Sequence, residues 1–125
     1  MAPALDHTIV PSHNKVESAK FISRILGMEF DQPFGHFQPV KAANGLSLDF
    51  DERDKFGSHH YAFLVSDEEF DGILRRIQDE GVVYGSGPRS LEDNEINHHH
   101  HGRGVYFRCP DGHIWEAITH TYTRD

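Results

Sequence analysis

Apolar residues recur along the chain at regular spacings, and these spacings predict its helices. Over residues 70–77 they fall at i, i+3, i+4 and i+7, which places one apolar stripe along a helix. Ser66 and Glu69, just ahead of this stripe, form a capping-box pattern. Gly81, just behind it, suits the left-handed residue that ends many helices. A similar apolar pattern predicts an earlier helix over residues 16–26.

The two helices belong to segments that read alike. In each segment, a short run of β-branched and aromatic residues begins near a histidine and precedes the helix, which is typical of a strand. His7 lies 20 residues before Gly27, the glycine that follows the first helix. His60 lies 21 residues before Gly81. The agreement of these spacings indicates an internal repeat.

Further strand-like runs follow each helix. They are residues 35–41 and 46–50 in the first half, and 82–84, 104–108 and 114–119 in the second. Asn44-Gly45 and Asp111-Gly112 separate the last two runs of each half and are strong hairpin-turn signals. The second half therefore predicts a strand, a helix and three strands, and the repeat leads us to expect the same module in the first half, where two of the three runs are visible. We expect the two halves to pair, since neither buries its sheet face alone.

Length, charge and cysteine content limit the class of protein. The 125 residues suffice for one domain with module one at about 4–52 and module two at about 57–121. A formal charge of −8 disfavours binding to nucleic acid. No apolar run approaches the roughly 18 residues of a membrane span, and the first residues lack a signal-peptide pattern. The single cysteine, Cys109, fits a reducing compartment. We expect a cytoplasmic protein that binds neither nucleic acid nor membrane.

Two histidines and two carboxylates occupy matching places in the repeat. His7 and His60 begin the first strand of each half, and Asp49 and Glu116 lie in the last strand. The 42 residues from His7 to Asp49 become 56 from His60 to Glu116, and an extra polar loop at about 85–102 accounts for the difference. Glu116 has apolar neighbours on both sides, so a buried carboxylate there needs a partner. Taken alone, Glu116 is equally well an exposed strand residue, and His7 and His60 are more simply ordinary surface or core histidines. Their matched positions in the repeat together favour a shared site.

Three segments carry a resemblance to a known family. They are His7-Thr-Ile-Val, His60-Tyr-Ala-Phe-Leu-Val and Val105-Tyr-Phe-Arg-Cys-Pro-Asp-Gly-His-Ile-Trp-Glu116. Together they resemble the vicinal oxygen chelate superfamily, which includes glyoxalase I, extradiol dioxygenases, fosfomycin-resistance proteins and bleomycin-binding proteins. The resemblance implies an α+β fold of two paired βαβββ modules, whose mostly antiparallel sheets curl into a cup around a metal.

The same resemblance implies a ligand set. His7, His60 and Glu116 match the usual metal ligands, and Asp49 matches the fourth ligand of glyoxalase-type members, although it is one methylene shorter. Two histidines and one carboxylate leave positions of an octahedral ion open for a substrate with adjacent oxygens. The ion then acts as a Lewis acid, and Fe(II) can also take oxygen. Fe, Zn, Ni and Mn are all compatible with these ligands.

Two classes of enzyme and one class of binding protein compete within this family. Tyr106 resembles the substrate-binding tyrosine of extradiol dioxygenases, and His98, in a run of four histidines, resembles their acid–base histidine. Module one lacks the second histidine expected of such enzymes. Asp49, as a fourth carboxylate or base, favours a glyoxalase-like lyase or isomerase. The serine-rich potassium loop of the fosfomycin branch has no recognisable counterpart.

The binding-protein alternative is a metal-free, drug- or metabolite-binding dimer of the bleomycin-resistance type. Members of that kind usually lack the full ligand set, which this chain keeps. We therefore expect a metal-dependent enzyme that acts on a small molecule. The resemblance also implies a homodimer, with the metal site formed within one chain or between two.

Overall fold

Each half of the chain folds as a strand, a helix and three further strands. The computed structural model describes residues 2–122, and the chain divides into two units, the first ending at Gly57 and the second beginning at Ser58. Each unit holds one helix and one four-stranded mixed sheet. The predicted α+β class and the repeated βαβββ module are confirmed. No helix in the described part is long and apolar enough to span a membrane.

The first unit builds its sheet around the strand that carries Asp49. Its elements are β1 (His7–Ser12), α1 (Lys15–Leu26), β2 (Glu29–Phe30), β3 (Gln38–Lys41) and β4 (Ser47–Glu52). The strand order is β1-β4-β3-β2, with β1 parallel to β4 and the other neighbours antiparallel. Asn14 caps α1 by accepting a hydrogen bond from the Glu17 amide at 3.2 Å. Gly27 ends the helix with a left-handed φ of +72°.

The second unit repeats this plan around the strand that carries Glu116. Its elements are β5 (His60–Leu64), α2 (Asp67–Asp79), β6 (Tyr84–Gly85), a short 3₁₀ turn (His99–His101), β7 (Gly104–Arg108) and β8 (Ile114–Ile118). The order is β5-β8-β7-β6, again with only the first pair parallel. The predicted capping box is confirmed, since Ser66 and Glu69 each accept the other's amide hydrogen bond.

Strand alternation gives each sheet a core face and a second face. In β8, Trp115 and Ala117 are fully buried, whereas Glu116 between them is only partly buried. In β4, Leu48 and Phe50 are buried on either side of Asp49 in the same way. Successive side chains of a strand point to opposite faces, so both carboxylates lie on the face turned away from the core.

Two strands are shorter than the sequence predicts. The strand expected from residue 35 begins only at Gln38, because Phe34 and Phe37 pair with each other across a tight turn. The strand expected at residues 82–84 is reduced to Tyr84–Gly85. Both hairpin turns are confirmed, and their glycines, Gly45 and Gly112, have positive φ.

Candidate functional site

His60 and Glu116 meet on the second face of the sheet in the second unit. His60 Nε2 lies 2.8 Å from Glu116 Oε1. The parallel β5–β8 ladder places His60 opposite Ile114, two residues before Glu116 on the same face. The side chain of His60 is 44% exposed and that of Glu116 is 14% exposed. The structure thus brings together two of the three predicted metal ligands, at a place that a ligand can reach.

Tyr106 lies beside this pair. It is directly opposite Glu116 in the antiparallel β7–β8 ladder, and its ring centroid is 5.8 Å from that of His60. Burial raises the pKa of Tyr106 above its ordinary value, and a hydrogen bond to Glu116 and the charge of Glu116 raise it further. At neutral pH the hydroxyl is therefore protonated and donates to the carboxylate. We call these three residues the His60–Glu116–Tyr106 cluster.

His7 and Asp49 hold the equivalent positions in the first unit. His7 lies opposite Ser47 in the β1–β4 ladder, and Asp49 is two residues further along β4. The offset is the same as that between His60 and Glu116. Here, however, His7 Nδ1 lies 2.7 Å from Asp6 Oδ2, and Asp49 Oδ1 accepts a hydrogen bond of 2.6 Å from Ser47 Oγ. The bond to Asp6 is the main reason that the pKa of His7 is raised.

The donor types of the His60–Glu116 pair fit a divalent first-row metal ion. An imidazole nitrogen and a carboxylate oxygen are both good ligands for such ions. Their separation of 2.8 Å is close to the roughly 3 Å between neighbouring ligands whose bonds to one ion are about 2.1 Å. Among residues 2–122 there is no group of three His, Cys, Asp or Glu side chains arranged to hold a metal. His7 as the third ligand stays a prediction.

His98 lies in a loop whose ends are firmly held. The backbone of Asn97 pairs with Gly104 through two hydrogen bonds of 2.9 and 3.0 Å, and its side chain accepts from the His99 amide. The next two histidines, His100 and His101, have positive φ values of 56° and 64°. His98 itself is exposed. Within the described residues, no hydrogen bond or ring contact joins His98 to the cluster, and its catalytic role stays a prediction.

Comparisons with known proteins place the chain in a family, although no family model matches it. The metallothiol transferase FosB of Shouchella clausii (strain KSM-K16) is 30% identical over 80 residues, which are 63% of this chain and 51% of that protein. The match thus spans about half the length of this curated relative. Oxidase ChaP-H2 is 45% identical, with 98% of this chain and 97% of that chain covered and a TM-score of 0.93. The chain belongs to the vicinal oxygen chelate superfamily.

A more distant member of the superfamily shares the fold. A variant of the fosfomycin resistance protein FosX from Listeria monocytogenes, complexed with Mn(II) and 1S,2S-dihydroxypropylphosphonic acid, is 23% identical. The match covers 97% of this chain and 95% of that chain, with a TM-score of 0.74. The family predicted from the sequence is confirmed. For a vicinal oxygen chelate protein, the matched places of His7 and His60 follow from the repeated module.

Sequence reasoning missed one charged residue on the face that carries the cluster. Arg108 follows Tyr106 by two residues in β7 and therefore shares its face. It lies opposite Ile114, which in turn lies opposite His60. The alternation of side chains along β7 was enough to predict that Arg108 lies on the same face as Tyr106. Its partner, Glu92, belongs to a loop whose path the sequence pattern does not predict.

Proposed function

We propose that this vicinal oxygen chelate protein is a divalent-metal-dependent enzyme that acts on a small molecule with two adjacent oxygens. The observation that carries the proposal is the 2.8 Å contact between His60 and Glu116, with Tyr106 beside it on one accessible sheet face. His7 is proposed as the third ligand, from the same chain or from a second copy in a homodimer. The relatives support the proposal, since one is named an oxidase, one is named a metallothiol transferase, and one is a FosX variant in complex with Mn(II).

The metal supplies Lewis acidity when bound, polarising the substrate oxygens that chelate it. The protein residues then have separate tasks. Tyr106 holds a proton at its hydroxyl and donates a hydrogen bond, first to Glu116 and then to a substrate oxygen beside it. Asp49, which is only partly buried and accepts from Ser47, is proposed as the residue that takes a proton from the substrate. Ile114 and Ile118 flank Glu116 on the same face and limit the access of water to it.

We propose oxygen-dependent oxidation ahead of a lyase or isomerase reaction. The reason is the likeness to oxidase ChaP-H2, which extends over nearly the whole of both chains at 45% identity. In an oxidase, dioxygen accepts the electrons that the substrate loses. Fe(II) is then the ion to test first, and Zn, Ni and Mn are the alternatives. Under this hypothesis, His98 is proposed as the acid–base histidine, as in extradiol dioxygenases.

A second candidate is group transfer to a small molecule, favoured by the match to the metallothiol transferase FosB. That match covers half of the relative and has lower identity than the oxidase match. A metal-free binding protein is the weakest alternative, because it gives no reason for the pairing of His60 with Glu116. The homodimer is tested by sedimentation at micromolar concentration, where a monomer would contradict it.

Oxygen uptake separates these candidates. Protein loaded with Fe(II) is mixed with a panel of catechols and α-hydroxyketones, and dioxygen consumption and products are recorded together. We expect uptake that depends on Fe(II), with Glu116→Gln at least about a hundredfold slower because a ligand is lost. Glu68→Gln, at an exposed helix carboxylate, is the matched control and should equal the wild type. Product formation without oxygen uptake would contradict the oxidase and favour the lyase or the transferase.

A further inference from the structure

A cleft of about 380 Å³ lies beside the end of β7. Arg108 lines one side of it, and residues 88–93 of the loop after β6 line the other. This volume is in the range of small-molecule sites. The charged residues that line the cleft are Arg89, Arg108, Glu92 and Asp93. None of these belongs to the His60–Glu116–Tyr106 cluster.

Arg108 connects this cleft to the cluster. Strand β7 places Tyr106 and Arg108 on one face, and residues two apart along a strand are about 7 Å apart. Tyr106 lies opposite Glu116, and Arg108 lies opposite Ile114. Arg108 therefore shares a cross-strand row with His60 and lies one row from Tyr106 and Glu116 on the same sheet face. A small molecule that extends from the cluster along this face would therefore meet Arg108 with its far end.

The ion pair that Arg108 makes is easily exchanged. Its Nη1 donates to Glu92 Oε2 at 3.2 Å, and the side chains are 51% and 66% exposed. Exposed ion pairs contribute little free energy, so a ligand carboxylate can take the place of Glu92. Arginine binds a carboxylate through two parallel hydrogen bonds, which lysine does not. Glu92 thus contacts Arg108 where a ligand carboxylate would bind.

The other carboxylate of the cleft does not compete for Arg108. Asp93 accepts hydrogen bonds from the Ser86 amide, the Ser86 hydroxyl and the Glu95 amide, at 3.0, 2.5 and 3.1 Å. These three hydrogen bonds fix the carboxylate of Asp93 within the loop. If a ligand displaces Glu92, Arg89 and Arg108 are the positively charged residues of the cleft that bind its anionic group.

Hydrogen bonds hold the loop after β6 that forms one wall of the cleft. Asn97 Nδ2 donates to the Ser86 carbonyl at 2.9 Å, and the Asn94 amide donates to the Tyr84 carbonyl at 3.0 Å. A Cβ at Gly85 would lie 1.7 Å from the Ser90 carbonyl oxygen, so the wall passes directly over β6. A wall held in this way keeps the cleft at a fixed place relative to Arg108.

We propose that Arg108, assisted by Arg89, is a specificity subsite for a carboxylate on the substrate. The substrate class is then an organic acid that has two adjacent oxygens at one end and a carboxylate at the other. This inference rests on the proposed function, because the adjacent oxygens are those that chelate the metal. Arg108 positions and selects the substrate and takes no part in the bond changes.

Two chelating probes test this subsite without turnover. Catechol and 3,4-dihydroxybenzoate present the same adjacent oxygens, and only the second has a carboxylate. Their affinities for Zn(II)-loaded protein are measured by calorimetry. The affinity for 3,4-dihydroxybenzoate divided by the affinity for catechol is the ratio that is compared between variants. Comparing ratios removes the intrinsic difference between the probes. We expect Arg108→Gln to lower the ratio about tenfold, as the loss of a charge-assisted hydrogen bond predicts.

Three further variants sharpen the result. Arg108→Lys should keep only part of the preference, since it loses the bidentate geometry. Glu92→Gln should raise the ratio about threefold, because it removes the competing carboxylate. Arg75→Gln, which changes the same charge at an exposed position of α2, should leave the ratio unchanged. Folding of each variant is checked by thermal unfolding.

The outcomes distinguish the subsite from the metal site. If both probes bind and Arg108→Gln leaves their ratio unchanged, the subsite is wrong and the metal function stands. If Arg108→Gln weakens both probes equally, the arginine is structural and the subsite is again wrong. If the wild type retains no Zn(II), or binds neither probe, the proposed function fails and the subsite fails with it.

Discussion

Tyr106 lies directly opposite Glu116 across the β7–β8 ladder and donates its hydroxyl hydrogen bond to that carboxylate. The same carboxylate contacts His60 at 2.8 Å. One glutamate thus has a histidine on one neighbouring strand and a tyrosine on the other. His60 is a candidate metal ligand and Tyr106 is a hydrogen-bond donor, and Glu116 contacts both.

Tyr106→Phe should separate metal retention from substrate binding. We expect the variant to hold the metal as the wild type does, because the tyrosine is not among the predicted ligands. Its turnover should fall about tenfold or more, since a hydrogen bond to the substrate is lost. Metal content and steady-state kinetics measure the two effects. Loss of the metal with unchanged stability would contradict the assigned role.

Arg103 should stabilise the second unit. It donates to Asp71 at 2.7 Å and to Asp67 at 3.0 Å, and its guanidinium lies 4.5 Å from the Phe70 ring centroid. Both carboxylates are well exposed, so the ion pairs are weak, and the contact with the ring adds to them. Arg103→Gln should lower the free energy of unfolding by about 1 kcal/mol. Urea denaturation measures it, with Arg75→Gln as the control of equal charge change.

Gly85 should not tolerate a side chain. An alanine Cβ there would lie 1.7 Å from the Ser90 carbonyl oxygen, whereas one at Gly87 would meet nothing within 4 Å. Gly85→Ala is therefore expected to displace the loop wall and to lower the free energy of unfolding by about 1–3 kcal/mol. Gly87→Ala is the matched control and should change it far less. Equal stability of the two variants by thermal unfolding would show that the loop is not held as described.

Asp93 should make the loop sensitive to acid. The hydrogen bond from the Ser86 side chain is the main cause that lowers the pKa of this carboxyl, and the Glu95 and Ser86 amides add to it. A lowered folded-state pKa stabilises the protein above the unfolded value of about 3.9 and ceases to do so as the pH falls through the folded value. The stability difference between wild type and Asp93→Asn should be full above about pH 5 and shrink below about pH 4. A difference that grows on acidification would contradict this.

The helices and the repeat could be predicted because their signals are local. The Ser66 and Glu69 capping box and the glycine after each helix are specified by neighbouring residues. The pairing of Tyr106 with Glu116 also follows locally, since the Asp111-Gly112 turn sets the register of the hairpin. Equivalent offsets of His7 and His60 follow from the duplicated module.

The sequence did not predict two kinds of feature, which are contacts between distant parts of the chain and the choice of side-chain hydrogen-bond partners. The two-residue strand β2 has no periodicity to detect and is paired only because β3 lies beside it. The contact of Arg108 with Glu92 depends on the path of a polar loop, as does the place of His98. The bonds of His7 to Asp6 and of Asp49 to Ser47 depend on side-chain choices that a spacing argument does not reach.

Metal content per chain tests the central claim most directly. Untagged protein, purified without chelators and washed to remove loosely held ions, is analysed by mass spectrometry. His7→Ala, His60→Ala and Glu116→Ala are compared with a variant whose histidine run 98–101 is replaced by serines, which controls for adventitious binding. We expect about one ion per chain in the wild type and in the serine variant, as one three-ligand site requires, with loss in the three ligand variants. No ion in the wild type after reconstitution, or an ion retained by Glu116→Ala, would contradict the metal site.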